Sequence, residues 1–290
     1  IGLQPVGLSA LHGMGRPGLL EDVMEHGARV DGIHTWSLVG EQPTTVLDVE
    51  YRRFDERLFG LGLARGVLFS ALYERVLADA RIDTRLGAAV GALREREDGV
   101  AVENPGGERL GLFDLAVLAD GARSALRGAL PMPSLVRRYP YGALFALLPD
   151  PAGVTDHWLT QVHAGPGAAR TLGFLPTGRL WGAQADAKVA TLYYSIRLDD
   201  PRVAGCFDAQ HDRTGDACGG RNLPATFDVA AFRSECLALM PGAAAVVEGL
   251  HSASQLQLAS YADVLMPRFD SGAVVCIGDH AHATSPQLGQ

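Results

Sequence analysis

Two apolar runs, each ending on a paired glycine and aspartate, constrain this chain more than any other feature. In DLAVLADGARSALR, residues 115–119 are apolar and Asp120-Gly121 follow. In GAVVCIGDHAHATSPQLGQ, residues 273–277 are apolar and Gly278-Asp279 follow. Short runs without polar alternation read as strands covered on both faces, the kind found in parallel sheets of α/β proteins. Ligands of such sheets sit beyond the carboxyl ends of the strands. There glycine lets a ligand approach the backbone, and a carboxylate can accept hydrogen bonds from a polyol such as a nucleotide or a ribityl chain. Either pair taken alone is more often an ordinary turn, so the surrounding sequence has to decide.

The rest of the chain divides by pattern. Residues 5–27 carry apolar positions at helical spacing and predict two short helices joined at Gly15-Arg16-Pro17. Residues 33–59 alternate like strands and lead into the turn-rich GLGLARG. Residues 67–80 predict a helix with Leu68, Leu72, Val76 and Leu77 on one face. Short β-like pieces over 87–112, punctuated by Asp98-Gly99 and Asn104-Pro105-Gly106-Gly107, predict an antiparallel meander. Residues 135–200 read as an antiparallel sheet, 205–224 as loop and 227–240 as a helix with Phe232, Cys236 and Leu239 along one side.

Bulk properties narrow the function. The 290 residues, 47% of them hydrophobic, suffice for a sizeable core and about two domains. A net charge of -8 without any long basic run disfavours nucleic acid as a partner. No stretch has the ~18 uninterrupted apolar residues of a membrane span, and the expected setting is cytoplasmic. Cys206, Cys218, Cys236 and Cys276 form no CxxC pair, as free thiols in a reducing compartment would; a Cys206–Cys218 bridge across the glycine-bearing stretch between them is the alternative.

Several motif-like stretches lack the context their chemistry needs. Gly13, Gly15 and Gly18 spell G-x-G-x-x-G, but the preceding GLSALH has a helical pattern where a dinucleotide fingerprint needs a buried strand. His280 and His282 would share a face of a strand, yet no third metal ligand follows at a usual spacing. Ser124 and Ser285 lack the elbow of a hydrolase nucleophile. Trp36, Trp158 and Trp181 do not form the W-x-W-x-I-P signature of flavin halogenases. Of Tyr193 and Tyr194, one must face away from any pocket the other lines.

The two opening stretches closely resemble the internal motifs of the FAD-dependent aromatic hydroxylases, the para-hydroxybenzoate hydroxylase-like flavoprotein monooxygenases. The first resembles the family's Asp-Gly motif, with Asp120, Gly121, Arg123, Ser124 and Arg127 in place. The second resembles its Gly-Asp motif, in which Asp279 holds the flavin ribityl and pyrophosphate region and residues 286–290 run beside the isoalloxazine. LQPVGLSAL is similar to the segment entering beside the flavin ring, ARGVLFSALYERVL to the helix led by a cofactor-facing arginine, and YPYGALFALLPD with TLGFLPTGR to the start of the substrate sheet.

The resemblance implies an α/β fold in which a three-layer (ββα) FAD-binding domain, residues 1–33, 60–133 and 270–290, is interleaved with a mostly antiparallel substrate-binding sheet, residues 34–59 and 134–269. It implies cofactor contacts at Gln4, Arg65, Asp120, Gly121, Arg123, Gly278, Asp279, Pro286, Leu288 and Gly289. The implied reaction uses NADH or NADPH to reduce FAD and O2 to form a C4a-hydroperoxyflavin, which hydroxylates an aromatic or other apolar small molecule. No acid–base residue is singled out, because the cofactor carries the chemistry. Against the family pattern, the fingerprint strand–turn–helix before LQPVG and the helix after Gly-Gln are missing, so the chain resembles an internal, incomplete segment. The rivals are a flavin-dependent reductase of the same fold and a non-catalytic binding protein or remnant keeping it. Substrate identity and oligomeric state are not encoded in any stretch that can be read.

Overall fold

The computed structural model describes residues 1–165, 170–184, 187–204, 206 and 221–285. Along the chain the elements are β1 (Gly2–Leu3), α1 (Pro5–Gly13), α2 (Leu19–His26), β2 (Ala28–Val30), β3 (Gly32–Ser37), β4 (Thr44–Glu50), β5 (Gly60–Gly62) and α3 (Arg65–Ala78). There follow β6 (Ala92–Arg96), β7 (Gly99–Glu103), β8 (Arg109–Phe113), β9 (Ala116–Leu118), β10 (Leu135–Pro149), β11 (Trp158–Ala164), β12 (Arg170–Arg179) and β13 (Lys188–Arg197). The last are β14 (Arg221–Asn222), α4 (Val229–Leu239), α5 (Ala244–Val247), β15 (Gln257–Leu265), β16 (Asp270–Ser271), β17 (Val274–Cys276) and α6 (Asp279–His282). Two compact units result: the described residues within Ile1–Asp83, Gly142–Cys206 and Gly220–Ala259, and those within Thr84–Tyr141 and Ser260–Gln290.

The larger sheet runs β14-β15-β10-β13-β12-β11-β3-β4. Its β11–β12, β12–β13, β3–β4 and β14–β15 pairings are antiparallel and β3–β11 is parallel, in line with the mostly antiparallel sheet expected. Side chains alternate between faces with a period of two. Leu172, Phe174, Leu192, Tyr194 and Ile196 therefore share one face, where all are buried. Phe232 and Cys236 of α4 are buried too, and the Phe232 ring meets Tyr194 edge-on at 5.1 Å. Asp228 caps α4 by accepting from the Ala231 N–H at 2.9 Å.

In the first unit, α1 and α2 meet at the predicted turn. Gly15 and Gly18 have φ of +60° and +72°, and helix α1 precedes them, so the G-x-G-x-x-G spelling is a helix-to-helix turn. GLGLARG differs from the turn-rich expectation: its first three residues are β5, the central strand of β1-β5-β2. A Cβ on Gly62 would lie 1.9 Å from the Pro176 carbonyl oxygen, so this glycine serves close backbone approach. Helix α3 also differs. Val67 and Ala71 are its buried positions, Leu68 and Leu72 pack only partly, and Leu77 is 60% exposed. The small Ala71, one turn beyond Val67, lets α2 approach on that side, and Arg75 pairs with Asp22 there.

The second unit holds the expected meander, β6-β7-β8, turning at Gly99 and beyond Asn104. It also holds the sheet β16-β17-β9, in which β9 and β17 are parallel. Val100, Leu118, Leu126, Met132, Val264, Met266, Val274 and Cys276 make its core. Burial on both faces was expected for the two apolar runs. Instead Leu118, Val274 and Cys276 are buried while Leu115, Val117 and Ile277 are about half exposed, because only one face of these short strands packs on that core. No helix among the described residues is long and apolar enough to cross a membrane.

Candidate functional site

The parallel pairing of β9 with β17 sets Ala116 opposite Val274, Val117 opposite Val275 and Leu118 opposite Cys276. The Ile277 N–H donates to the Leu118 carbonyl at 3.0 Å, carrying the pairing one residue further. Asp120-Gly121 and Gly278-Asp279 therefore leave neighbouring strands at the same, carboxyl, end. Gly121 has φ +85°, and Gly278 has φ +58° with ψ -144°, conformations that residues with a Cβ rarely adopt. A Cβ placed on either would meet nothing within 4 Å. Glycine is thus demanded by the backbone path, and the space in front of both turns is open to an approaching group.

The two carboxylates differ in their surroundings. Asp279 opens α6, is exposed, and has no hydrogen bond or ion pair among the described residues. Asp120, 42% exposed, accepts from Nδ1 of His280 at 2.6 Å. His280 is fully buried, and its Nε2 has no partner among the described residues. The expectation that His280 and His282 share a strand face is overturned. They lie on a helix, where alternate residues diverge by about 200°, so His280 points inward while His282 is exposed with its ring 5.9 Å from Phe269.

Arg127 joins the two turns from beneath. It is 4% exposed and donates from Nε to the His280 carbonyl, from Nη1 to Ala122 and from Nη2 to Gly121, each at 2.8 Å. Burial pulls the guanidinium pKa down, opposed by the nearby Asp120 and Cys276. The Asp-Gly stretch contained Arg127, but its partner carbonyl at His280 lies 153 residues away in the chain and no local pattern announces that contact. His280 was missed for the same reason; the one available signal was an imidazole next to a glycine–aspartate pair. Arg123 is engaged with the Ser260 hydroxyl.

Gln4 and Arg65 fall in the first unit. Gln4 precedes α1, and its carbonyl accepts from the N–H groups of Gly7 and Leu8. Arg65 opens α3, is exposed and has no ion pair among the described residues. It lines a cleft of about 360 Å³ together with Ser70, Leu147, Trp181 and Gln257. Pro286, Leu288 and Gly289 lie outside the described residues, as does Cys218; Cys236 and Cys276 are free thiols.

On the larger sheet, the tyrosine pair splits as geometry requires. Tyr194 points to the α4 side, where its hydroxyl donates to Glu235 at 2.6 Å. Tyr193 points to the opposite face and lies across Gly173, where an added Cβ would come within 2.1 Å of its ring. Its hydroxyl donates to Gln161 Oε1 at 2.6 Å, and Gln161 Nε2 donates to Thr35 at 2.7 Å. His163 and Thr171, bonded at 2.8 Å, belong to the same face. The result is a polar row of hydrogen-bonded side chains opposite the apolar face.

No family model matches the sequence, and no curated protein matches it significantly. Solved structures do match. The tetrameric form of 2-methyl-3-hydroxypyridine-5-carboxylic acid oxygenase aligns with a TM-score of 0.73 and 19% identity over 100% of this chain and 67% of its own. PqsL, a probable FAD-dependent monooxygenase from Pseudomonas aeruginosa, aligns at 0.73 and 18% over 100% of this chain and 70% of its own. A tetracycline destructase aligns at 0.56 and 15% over 100% and 66%. The chain has the mixed α/β fold of these proteins, the fold the two motifs led one to expect, and spans about two thirds of their length.

Proposed function

We propose that the chain is the greater part of an FAD-dependent monooxygenase that uses NADH or NADPH and O2 to hydroxylate an aromatic or other apolar small molecule. One observation carries this reading: the parallel β9–β17 pair brings Asp120-Gly121 and Gly278-Asp279 together at strand carboxyl ends. Both glycines there have positive φ and open space in front of them. That arrangement suits a ribityl–pyrophosphate group, whose hydroxyls need acceptors and whose bulk needs a backbone free of side chains.

Asp279 and Asp120 would accept hydrogen bonds from the polyol, and the turns at Gly121 and Gly278 would let it lie against the main chain. FAD held there supplies the redox chemistry, taking reducing equivalents from the nicotinamide and activating oxygen. The chain's own tasks are binding, orientation and exclusion of water. A ring-bearing substrate accords with the pyridine carboxylic acid oxygenase and tetracycline destructase among the structural neighbours.

The test is the visible spectrum of the purified protein with FAD, followed by NAD(P)H-dependent incorporation of labelled oxygen into a ring-bearing substrate. Resolved bound-flavin bands and labelled product are expected. A protein that leaves FAD free contradicts the reading, and flavin reduction with substrate reduced but unlabelled favours a reductase.

A further inference from the structure

We propose that His280 is a positioning residue for the polyol site: its Nδ1–H fixes one carboxylate oxygen of Asp120, leaving the other to a ligand hydroxyl. This rests on the function proposed above. Whatever charge the ring carries, Nδ1 must hold the hydrogen, because a carboxylate oxygen 2.6 Å away can only accept. The packing around the ring holds it on this contact. It is fully buried, and its carbonyl is gripped by Arg127 Nε at 2.8 Å. Arg127 also grips the carbonyls of Gly121 and Ala122, immediately after Asp120. Both ends of the imidazole–carboxylate contact are thus anchored through one guanidinium.

Asp120 itself is 42% exposed and has no other hydrogen bond or ion pair among the described residues. Without His280 it would keep only the nearby charge of Arg127 and no hydrogen-bond donor among the described residues, and a ligand would have to fix its orientation on binding. The buried Nε2, which has no partner among the described residues, argues that the ring is not there for its own satisfaction. A leucine in the same space would leave no polar atom buried, so the imidazole is retained at a cost that the Nδ1 contact must offset.

Two variants separate the donor from the bulk. His280→Leu keeps the volume and loses the N–H; His280→Asn loses the ring and keeps an N–H close to the position of Nδ1. The readouts are FAD affinity by flavin fluorescence titration and the imidazole 15N resonances of the cofactor-free protein. We expect a protonated Nδ1 in the wild type, FAD bound about fivefold more weakly by His280→Leu, and affinity within about twofold of wild type for His280→Asn. Wild-type affinity in His280→Leu overturns the proposal, as does equal weakening in both variants, which would make the role one of packing. FAD binding by a wild type whose Nδ1 carries no proton overturns the His280 proposal alone. No FAD binding by a wild type with Nδ1 protonated overturns the functional reading, and the positioning role with it.

Discussion

Arg127 Nε donates to the carbonyl oxygen of His280 at 2.8 Å, joining residues 153 apart in sequence. With its two other donors on Gly121 and Ala122, this buried guanidinium holds the Asp-Gly turn and the Gly-Asp turn in one arrangement. The partners are all backbone carbonyls, so the fork geometry matters more than the charge. Arg127→Ala is expected to lower unfolding free energy by about 3 kcal/mol, and Arg127→Lys by about 1–2 kcal/mol, since an ammonium cannot reach three diverging carbonyls at once. Urea unfolding followed by circular dichroism checks both values; equal stability of the lysine variant and wild type would show that charge alone suffices.

At the Gly-Asp turn, shape and charge can be tested separately. Gly278→Ala imposes a side chain on φ +58°, ψ -144°, and is expected to cost about 1–3 kcal/mol of stability while placing a methyl group in the open space before the turn. Asp279→Ala changes neither backbone nor packing, because that carboxylate is exposed and unpartnered among the described residues. It is expected to leave the melting temperature within a degree or two, roughly the range of a neutral surface change, while weakening FAD binding at least about tenfold. Calorimetry beside a flavin titration reads both; unchanged FAD affinity in Asp279→Ala would remove that residue from the site.

Tyr193 can reach Gln161 only because nothing projects from Gly173 beneath it. Tyr193→Phe is expected to leave Gln161 Oε1 without its donor at a cost of about 1–2 kcal/mol, and Gly173→Ala to cost more, because its methyl group also displaces the ring. The double variant should lose less than the sum of the two, because the hydrogen bond can be lost only once, a non-additivity that denaturant melts would reveal.

The same phenol also responds to alkali. Burial raises the Tyr193 pKa well above its ordinary 10.0. An unfolded chain ionises first, so this group's contribution is complete below pH 10 and is lost as pH rises toward the folded value. Burial likewise pushes the Cys236 thiol from 9.0 up to about 12, adding a second loss that begins near pH 9. Stability should fall above about pH 9, less steeply in a Tyr193→Phe, Cys236→Ala variant compared with its own neutral value.

Glu235 gives the opposite limb. Burial alone would raise its pKa, but hydrogen bonds from Tyr194, Arg170 and Arg202 outweigh this and hold it below the ordinary 4.5. Its contribution is present above the unfolded value and lost as pH falls through the folded one. Glu235→Gln is expected to lose about 2 kcal/mol near neutrality and to show a shallower stability decline below pH 4.5. Parallel slopes for variant and wild type in acid would contradict this assignment.

The sequence by itself determined the local framework. Helical spacing marked α1, α2 and α4, turn chemistry marked the β6-β7-β8 meander, and the two apolar runs marked β9 and β17 with their Asp-Gly and Gly-Asp exits. These are legible because capping, periodicity and turn preference act over a few residues. Only the tertiary structure decided that β9 and β17 lie side by side and parallel, that GLG at residues 60–62 is a strand wedged against Pro176, and that Arg127 and His280 bridge the two exits. It also decided which tyrosine faces Gln161 and which faces α4. Pairings between residues over a hundred positions apart depend on how closed chain segments pack, and that information is spread over the whole core and held by no motif within it.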